Sequence, residues 1–356
     1  MNVLALTRYG QMGASSRLRF MQFQEPLTAF GIEVTVSPLL DDAYLRRLYA
    51  GAPTDWFAIM KSYAHRFRTL VFTRGVDLIW LEKELFPNVP GWLERLLRAR
   101  GIPIVVDYDD AVFHTYDRGS LVKRTLLGKK IDAIMRDASI VVCGNQYLAA
   151  RATSAHAADV ELLPTVIDLR RYPIAPKPLQ NTKVIGWIGS PATIKYLDVI
   201  APALQKLAAE IAFELRIVGA TYVLPGVKVV CREWKEHTEV REISDFDIGV
   251  MPLVDSSWER GKCGYKLIQY MACGKVVVAS PVGVNTEIVR DDENGYLAAS
   301  SDEWLSAMRS LLLDVALCNH LGRNGRERVE QHYCVQVATP RLAHIFERAL
   351  VSKGSS

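Results

Sequence analysis

Residues 258–289 read WERGKCGYKLIQYMACGKVVVASPVGVNTEIV. A glycine-rich, basic loop opens a short helix, predicted over Lys266–Ala272, and Gly274 ends it. A buried strand, Val276–Ala279, follows, and a second glycine loop comes next. Helix feeding apolar strand is how one unit of a parallel sheet looks in sequence. Three cations, Arg260, Lys262 and Lys266, stand near the helix N-terminus, against the preference of the helix dipole. They make sense if an anion sits among them; a solvated basic loop is the alternative.

The same alternation runs outward in both directions. After residue 180 the predicted strands are Val184–Ile188, Glu214–Val218, Val227–Cys231, Ile248–Met251 and Val276–Ala279. Helical spacing covers Ala192–Ile211, Glu303–Asp314 and Asn319–His332, and Pro340 is expected to interrupt the last helical stretch. Before residue 170 the strand candidates are Asn2–Leu6, Glu33–Ser37, Leu78–Leu81, Ile104–Asp107, Ile140–Cys143 and Val160–Leu163, with amphipathic Val89–Arg100 and Leu121–Asp137 between them. Pro164, Pro173, Pro176 and Pro178 crowd the segment between the two series, and proline cannot continue a helix. The expected division is 1–175 and 176–338, each a Rossmann-like domain. Residues 339–356 form a C-terminal helix, with a return to the first domain as one course. The expected fold class is α/β: two doubly wound domains facing across a cleft at the carboxyl ends of their sheets.

Composition agrees with two cores. The chain has 356 residues, 49% hydrophobic and 23% charged, more than one core usually serves. The formal net charge is +4, and 22 basic against 18 acidic residues precede Ile174. An anionic acceptor or a membrane surface would suit that excess; a solvated face would too. Amphipathic Leu121–Lys130, with Lys123, Arg124, Lys129 and Lys130, is the segment to rest on anionic lipid, or plain surface. Cys143, Cys231, Cys263, Cys273, Cys318 and Cys334 are scattered, without the spacing of a zinc site or a disulfide framework. The apolar start MNVLAL is too short for a signal peptide, and no run approaches a membrane span. A cytoplasmic protein is expected, with peripheral contact to the inner face of the membrane left open.

Three further motifs carry chemistry. Arg8-Tyr9-Gly10-Gln11-Met12-Gly13-Ala14-Ser15-Ser16-Arg17 follows the first strand as a glycine turn into a helix, where free N–H groups meet oxygen-rich ligands. It is not GxGxxG, and Ser37-Pro38 stand where NAD-binding proteins place an acid, so a dehydrogenase is disfavoured. Val105-Val106-Asp107-Tyr108-Asp109-Asp110 ends a strand in three carboxylates that bind hydroxyls, hold a cation or carry a raised pKa; helix capping is the bland alternative. Glu82 and Glu84 follow the preceding strand, and His114 lies just beyond the carboxylates. Gly186-Trp187-Ile188-Gly189-Ser190, then Lys195, makes a diphosphate cradle of amides and one ammonium.

As a set, GWIGS, Phe246–Leu253, YMACGKVVVASPVG with EIV and NGYLA, and Leu163–Asp168 resemble the family-4 retaining glycosyltransferases of GT-B architecture. The resemblance spans nearly the whole chain and is strongest over Val184–Ala298. It implies a nucleotide-diphosphate sugar donor, no obligatory metal or other cofactor, and transfer with retention. Lys195 matches the family's phosphate-binding lysine, whereas Ser190 stands where an arginine is usual. The family's paired glutamates fall on Gly261 and Gln269, and a histidine of the first domain falls on Asp109, so the chain resembles a subgroup lacking the pair. The implied donor site is Gly189, Ser190, Lys195, Trp234, Arg260, Lys262, Cys263, Gly264, Tyr265, Lys266, Gln269 and Asn285, with Trp234 placed either to line the base pocket or in the core. Lys195 and Lys266 would stabilise the departing diphosphate, and Asp109 or Asp110 would orient sugar or acceptor hydroxyls. Gly13, Ser15, Arg17, Glu82 and His114 would meet the acceptor, a glycan, lipid-linked or other hydroxyl compound of polysaccharide or glycoconjugate assembly. No nucleic-acid partner is expected. The rivals are a nucleotide-sugar epimerase or phosphorylase of the same fold, and a non-catalytic nucleotide-sugar binding protein.

Overall fold

The computed structural model describes residues 1–91, 94, 101–174 and 182–351. The chain divides into two compact units, Met1–Val166 with Val335–Ser356, and Ile167–Cys334. Each is built on a six-stranded parallel sheet, and the fold is that of two Rossmann-like domains, the GT-B class. The first sheet contains β1 (Asn2–Tyr9), β2 (Glu33–Leu40), β3 (Leu78–Glu82), β4 (Ile104–Tyr108), β5 (Ile140–Cys143) and β6 (Val160–Leu162), in the order β2-β1-β3-β4-β5-β6. The second contains β7 (Lys183–Ile188), β8 (Phe213–Val218), β9 (Lys228–Arg232), β10 (Ile248–Met251), β11 (Val276–Ala279) and β12 (Gly295–Leu297), in the order β12-β11-β10-β7-β8-β9. The central strands are buried along their length because helices cover both faces, which is why they read as unbroken apolar runs.

Both sheets reverse their winding beside their first strand, β1 against β3 and β7 against β10. Doubly wound sheets bind ligands at the carboxyl ends of the strands at such reversals.

Several expectations need correction. Ala192–Ile211 is a 3-10 segment, Ile194–Val199, followed by an α-helix, Ala201–Glu210, because Pro202 lacks the N–H that would continue the first turn into the second. Leu121–Asp137 is two helices, Leu121–Leu127 and Lys130–Asp137, parted at Gly128-Lys129. Lys130 is buried rather than on the surface, its Nζ 2.7 Å from Glu84 Oε2. The strand Glu33–Ser37 runs on to Leu40 through Pro38; β2 is an edge strand, where proline costs no ladder bond. Pro340 interrupts nothing. Helix Val335–Val351 continues through it, with buried Ala338, Leu342, Ile345, Phe346 and Ala349 on one face, and Phe346 packs on Trp80 at 5.2 Å. Burial of that face outweighs the lost hydrogen bond. The turn falls before it, at Tyr333-Cys334, between helices Val315–His332 and Val335–Val351. Much of Val89–Arg100, Pro176 and Pro178 lie outside the described residues.

Candidate functional site

In the second unit the reversal joins the ends of β7 and β10, and the side chains around it are basic and aromatic. Gly189 follows β7, and its amide donates to Val218 O at 3.0 Å. A Cβ on Gly189 would lie 2.7 Å from Lys266 Nζ and 2.6 Å from Trp187 Cη2, so glycine alone lets the ammonium reach this backbone. Lys266 comes from helix Tyr265–Ala272, whose N-cap Gly264 has φ 64 and whose first turn carries no acid. Its Nζ lies 4.3 Å from the Trp187 ring centroid. Burial lowers the Lys266 ammonium to about pKa 7, and among the described residues the one charge acting on it is another cation, Lys262.

Lys262 also lies over Tyr196, its Nζ 5.8 Å from the ring centroid, and Lys195 Nζ lies 5.6 Å from the same ring. Tyr196 donates its hydroxyl to Glu259, which Ser256 also meets. Lys195 and Lys262 thus share the Tyr196 ring, and the charge of Lys262 acts in turn on Lys266. Arg260 faces elsewhere: it grips exposed Asp255 through two bonds of 2.7 and 2.8 Å. Cys263 is buried beside the loop. Asn285 donates to Ser280 O at 3.0 Å, while its buried Oδ1 has no partner among the described residues. Ser190 and Thr193 close the turn after β7 on each other at 3.4 Å.

Gln269 and Trp234 end on one network. Gln269 Nε2 donates to the Tyr172 hydroxyl at 3.3 Å, and that hydroxyl donates to Glu239 at 2.7 Å. Trp234 Nε1 donates to the other oxygen of Glu239 at 2.7 Å, which fixes an indole that keeps 36% of its surface exposed. Tyr265 is half-buried at the head of the same helix.

The first unit's reversal is built differently. Glu82 ends β3, buried, and accepts from Ser16 Oγ at 2.6 Å and from the Arg8 amide at 2.7 Å. Burial pushes its carboxyl up, against the pull of Lys83. Lys83 sits at φ 63, a conformation that costs a side-chain-bearing residue and that clusters at functional sites. Its Nζ lies 2.8 Å from Asp109 and 3.4 Å from Ser15 Oγ. Burial raises the Asp109 carboxyl, but Lys83 and Ser15 outweigh it and hold it below its ordinary value. Arg19 grips Asp107 at 2.8 and 3.0 Å, both buried, and burial still pushes that carboxyl up to about 6.

Ser15, Glu82 and Asp109 are therefore gathered around Lys83, and Asp110 is the half-buried neighbour whose charge also acts on it. The others stand apart. Arg17 donates to Gln11 O at 2.8 Å, and His114 Nε2 meets the Tyr147 hydroxyl at 2.9 Å. Gly13 starts helix Ala14–Arg19, and the amide before it, on Met12, donates to Asp42 at 3.0 Å. Glu84 is taken by Lys130 and the Tyr116 hydroxyl, away from Asp109. Sequence patterns alone do not single out Lys83, Ser16, Tyr196 or Glu259. The alternating charge of Glu82-Lys83-Glu84 at the end of a wholly buried strand is the one available signal for Lys83.

Residues 182–314 match the family model described as Glycosyl transferases group 1, so the second unit carries a domain of that kind. No curated protein sequence matches the chain. Among solved structures it resembles the sucrose-phosphate synthase of Thermosynechococcus elongatus, with 17% identity and a TM-score of 0.74 over 99% of this chain and 100% of that one. HepE of Anabaena, solved with UDP-glucose, is similar at 16% identity and a TM-score of 0.71 over 98% and 99%. A glycosyltransferase of Rickettsia africae aligns at 12% identity and a TM-score of 0.71 over 98% of each chain.

Proposed function

From a GT-B fold and a group 1 glycosyltransferase domain, we propose that this chain transfers a sugar from a nucleotide-diphosphate sugar to a hydroxyl acceptor. The observation that carries the reading is Lys266, an ammonium held at a strand-end glycine with a second cation acting on it. Burying a cation without a carboxylate costs free energy, and an incoming diphosphate removes that cost.

In this reading Lys266 and the amides near Gly189 and Gly264 receive the negative charge that develops on the leaving nucleoside diphosphate, with Lys262 and Lys195 beside them. Preorganised donors and cations aimed at developing charge are commonly the largest catalytic contribution. Lysines and amides serve where other enzymes place a divalent ion, so the proposal requires no metal or resident cofactor. Trp234, fixed by Glu239, offers a ring face to the base, and Gln269 a hydrogen-bonding amide to ribose hydroxyls. Asp109, kept ionised by Lys83, accepts from hydroxyls of the sugar or acceptor, with Ser15 and Glu82 beside it. Transfer with retention, a glycan or lipid-linked acceptor, and a place in polysaccharide or glycoconjugate assembly belong to the same proposal. HepE, whose structure holds UDP-glucose, supports the donor class.

Thermal-shift measurements test it directly. A nucleoside diphosphate is expected to raise the melting temperature, and NAD is not, because only a ligand of the folded state stabilises it. Acceptor-dependent release of nucleoside diphosphate then reports transfer. Conversion of the nucleotide sugar without acceptor would move the reading to an epimerase. Binding with neither hydrolysis nor transfer would leave a binding protein.

A further inference from the structure

The first unit exposes an apolar stripe that neither sheet nor site explains. Helix Trp56–Phe72 buries Arg66 and Leu70, and the Arg66 guanidinium donates to Thr7 O and Ser37 O at 2.6 and 2.8 Å. The helix is therefore anchored to the sheet on that side. About a quarter-turn round the helix from that side, Trp56, Met60, Phe67 and Val71 recur at helical spacing, with Phe57 beside them. Trp56 is 72% exposed, Phe57 82% and Met60 66%. Soluble monomers rarely leave contiguous apolar surface of this kind uncovered.

Charge on the helix has one sign. Residues 56–72 contain no acid, and exposed Lys61, His65 and Arg68 flank the stripe. Helix Leu121–Leu127 repeats the pattern, with exposed Leu121, Val122 and Leu126 beside Lys123 and Arg124. Both helices are tied to one loop of this unit: Tyr63 donates its hydroxyl to Pro87 O at 2.9 Å, and the Asn88 amide donates to the Tyr116 hydroxyl at 3.1 Å, just before the second helix.

We propose that helix Trp56–Phe72 docks this protein on an anionic lipid bilayer, with Leu121–Leu127 as a second contact. Aromatic and aliphatic side chains flanked by Lys and Arg suit the interface between headgroups and acyl chains. Anionic headgroups attract the flanking cations. A second copy of the chain is the poorer occupant, since an antiparallel two-fold contact through this stripe would set the Lys61 of each copy near the Arg68 of the other, cation against cation. The proposal stands apart from the transfer reading, because none of these side chains belongs to either polar cluster.

Sedimentation of the full chain with vesicles of equal parts phosphatidylglycerol and phosphatidylcholine, against phosphatidylcholine alone, tests it. The wild type is expected to partition onto the anionic vesicles and to release as salt rises. Trp56→Ser with Phe67→Ser, and separately Lys61→Glu with Arg68→Glu, are each expected to cut partitioning by about tenfold or more. Both should melt as the wild type does and keep any stabilisation by nucleoside diphosphate, which separates lost docking from lost folding. Wild-type protein that ignores anionic vesicles, or variants that bind them equally well, would overturn the proposal. So would a dimer in ultracentrifugation that the Trp56→Ser, Phe67→Ser variant dissolves.

Discussion

The two sheet reversals begin alike and finish as opposites. Each follows a glycine-containing turn after the first strand of a parallel sheet, and each brings a lysine ammonium to a strand end. Lys83 comes directly after its strand, and Lys266 comes from a helix. In the first unit Lys83 lies between Asp109 and Glu82, and Arg19 grips Asp107, so the charges answer one another within the fold. In the second unit Lys266 faces an aromatic ring and a second lysine. A site whose cations are met by its own carboxylates is suited to neutral hydroxyls. One that gathers unbalanced charge is suited to a ligand that brings the opposite sign. The difference between two lysines, more than any motif, separates the proposed acceptor cluster from the proposed donor cluster.

Removing each lysine should therefore act in opposite directions. Lys266→Ala is expected to lower transfer by about 10²–10³-fold, the usual scale for losing one preorganised charge partner, with the protein still folded. Lys266→Met should raise the melting temperature of the ligand-free protein at pH 7 and below. There the cost of holding a cation with a depressed pKa is fully present; it fades as pH rises from about 7 toward 10.5. Lys83→Met should do the reverse. It leaves Asp109 and Glu82 buried without their cation, a loss of about 3–5 kcal/mol, read as a lower urea midpoint. Equal destabilisation by both substitutions would erase the contrast on which the assignment stands.

Much of this architecture is legible in the amino-acid order. Buried parallel strands such as Val276–Ala279 announce themselves as apolar runs because both faces are covered. β12 escapes such reading: three residues with one fully buried position carry no periodic signal. Pro340 and Pro38 mislead for a shared reason, since local propensity yields to a packed helix face in one case and to an edge position in the other. Gly189 and Lys266 each stand out on their own motifs. What brings them within reach is the pairing of β7 with β10, a long-range fact that spacing along the chain does not encode. Lys83 stays hidden because its role rests on a positive φ and a partner from another strand.

Titration gives the next test of the contrast. A lysine at about pKa 7 in the free protein should be driven protonated by a bound diphosphate. Binding then takes up a proton above pH 7, and affinity for a nucleoside diphosphate should fall by about tenfold per pH unit until the pKa of the complex is reached. Calorimetry in buffers of different ionisation enthalpy measures that uptake. Lys266→Arg, whose guanidinium stays charged, should flatten the dependence. A wild-type affinity constant from pH 7 to 9 would show that Lys266 does not meet the diphosphate.

The smallest effects decide which cations belong to the cluster. Arg260 neighbours Lys262 in sequence, yet its guanidinium is bound by both oxygens of exposed Asp255. Exposed pairs of this kind contribute little, so Arg260→Ala should change donor affinity by about threefold or less. Lys262→Ala should instead lift the Lys266 pKa, because Lys262 is the charge that helps to depress it. The pH at which affinity begins to fall would then move upward in Lys262→Ala and stay in place in Arg260→Ala. A shift in the arginine variant would mean that Arg260 leaves Asp255 when the ligand arrives, and that the basic loop acts as one body.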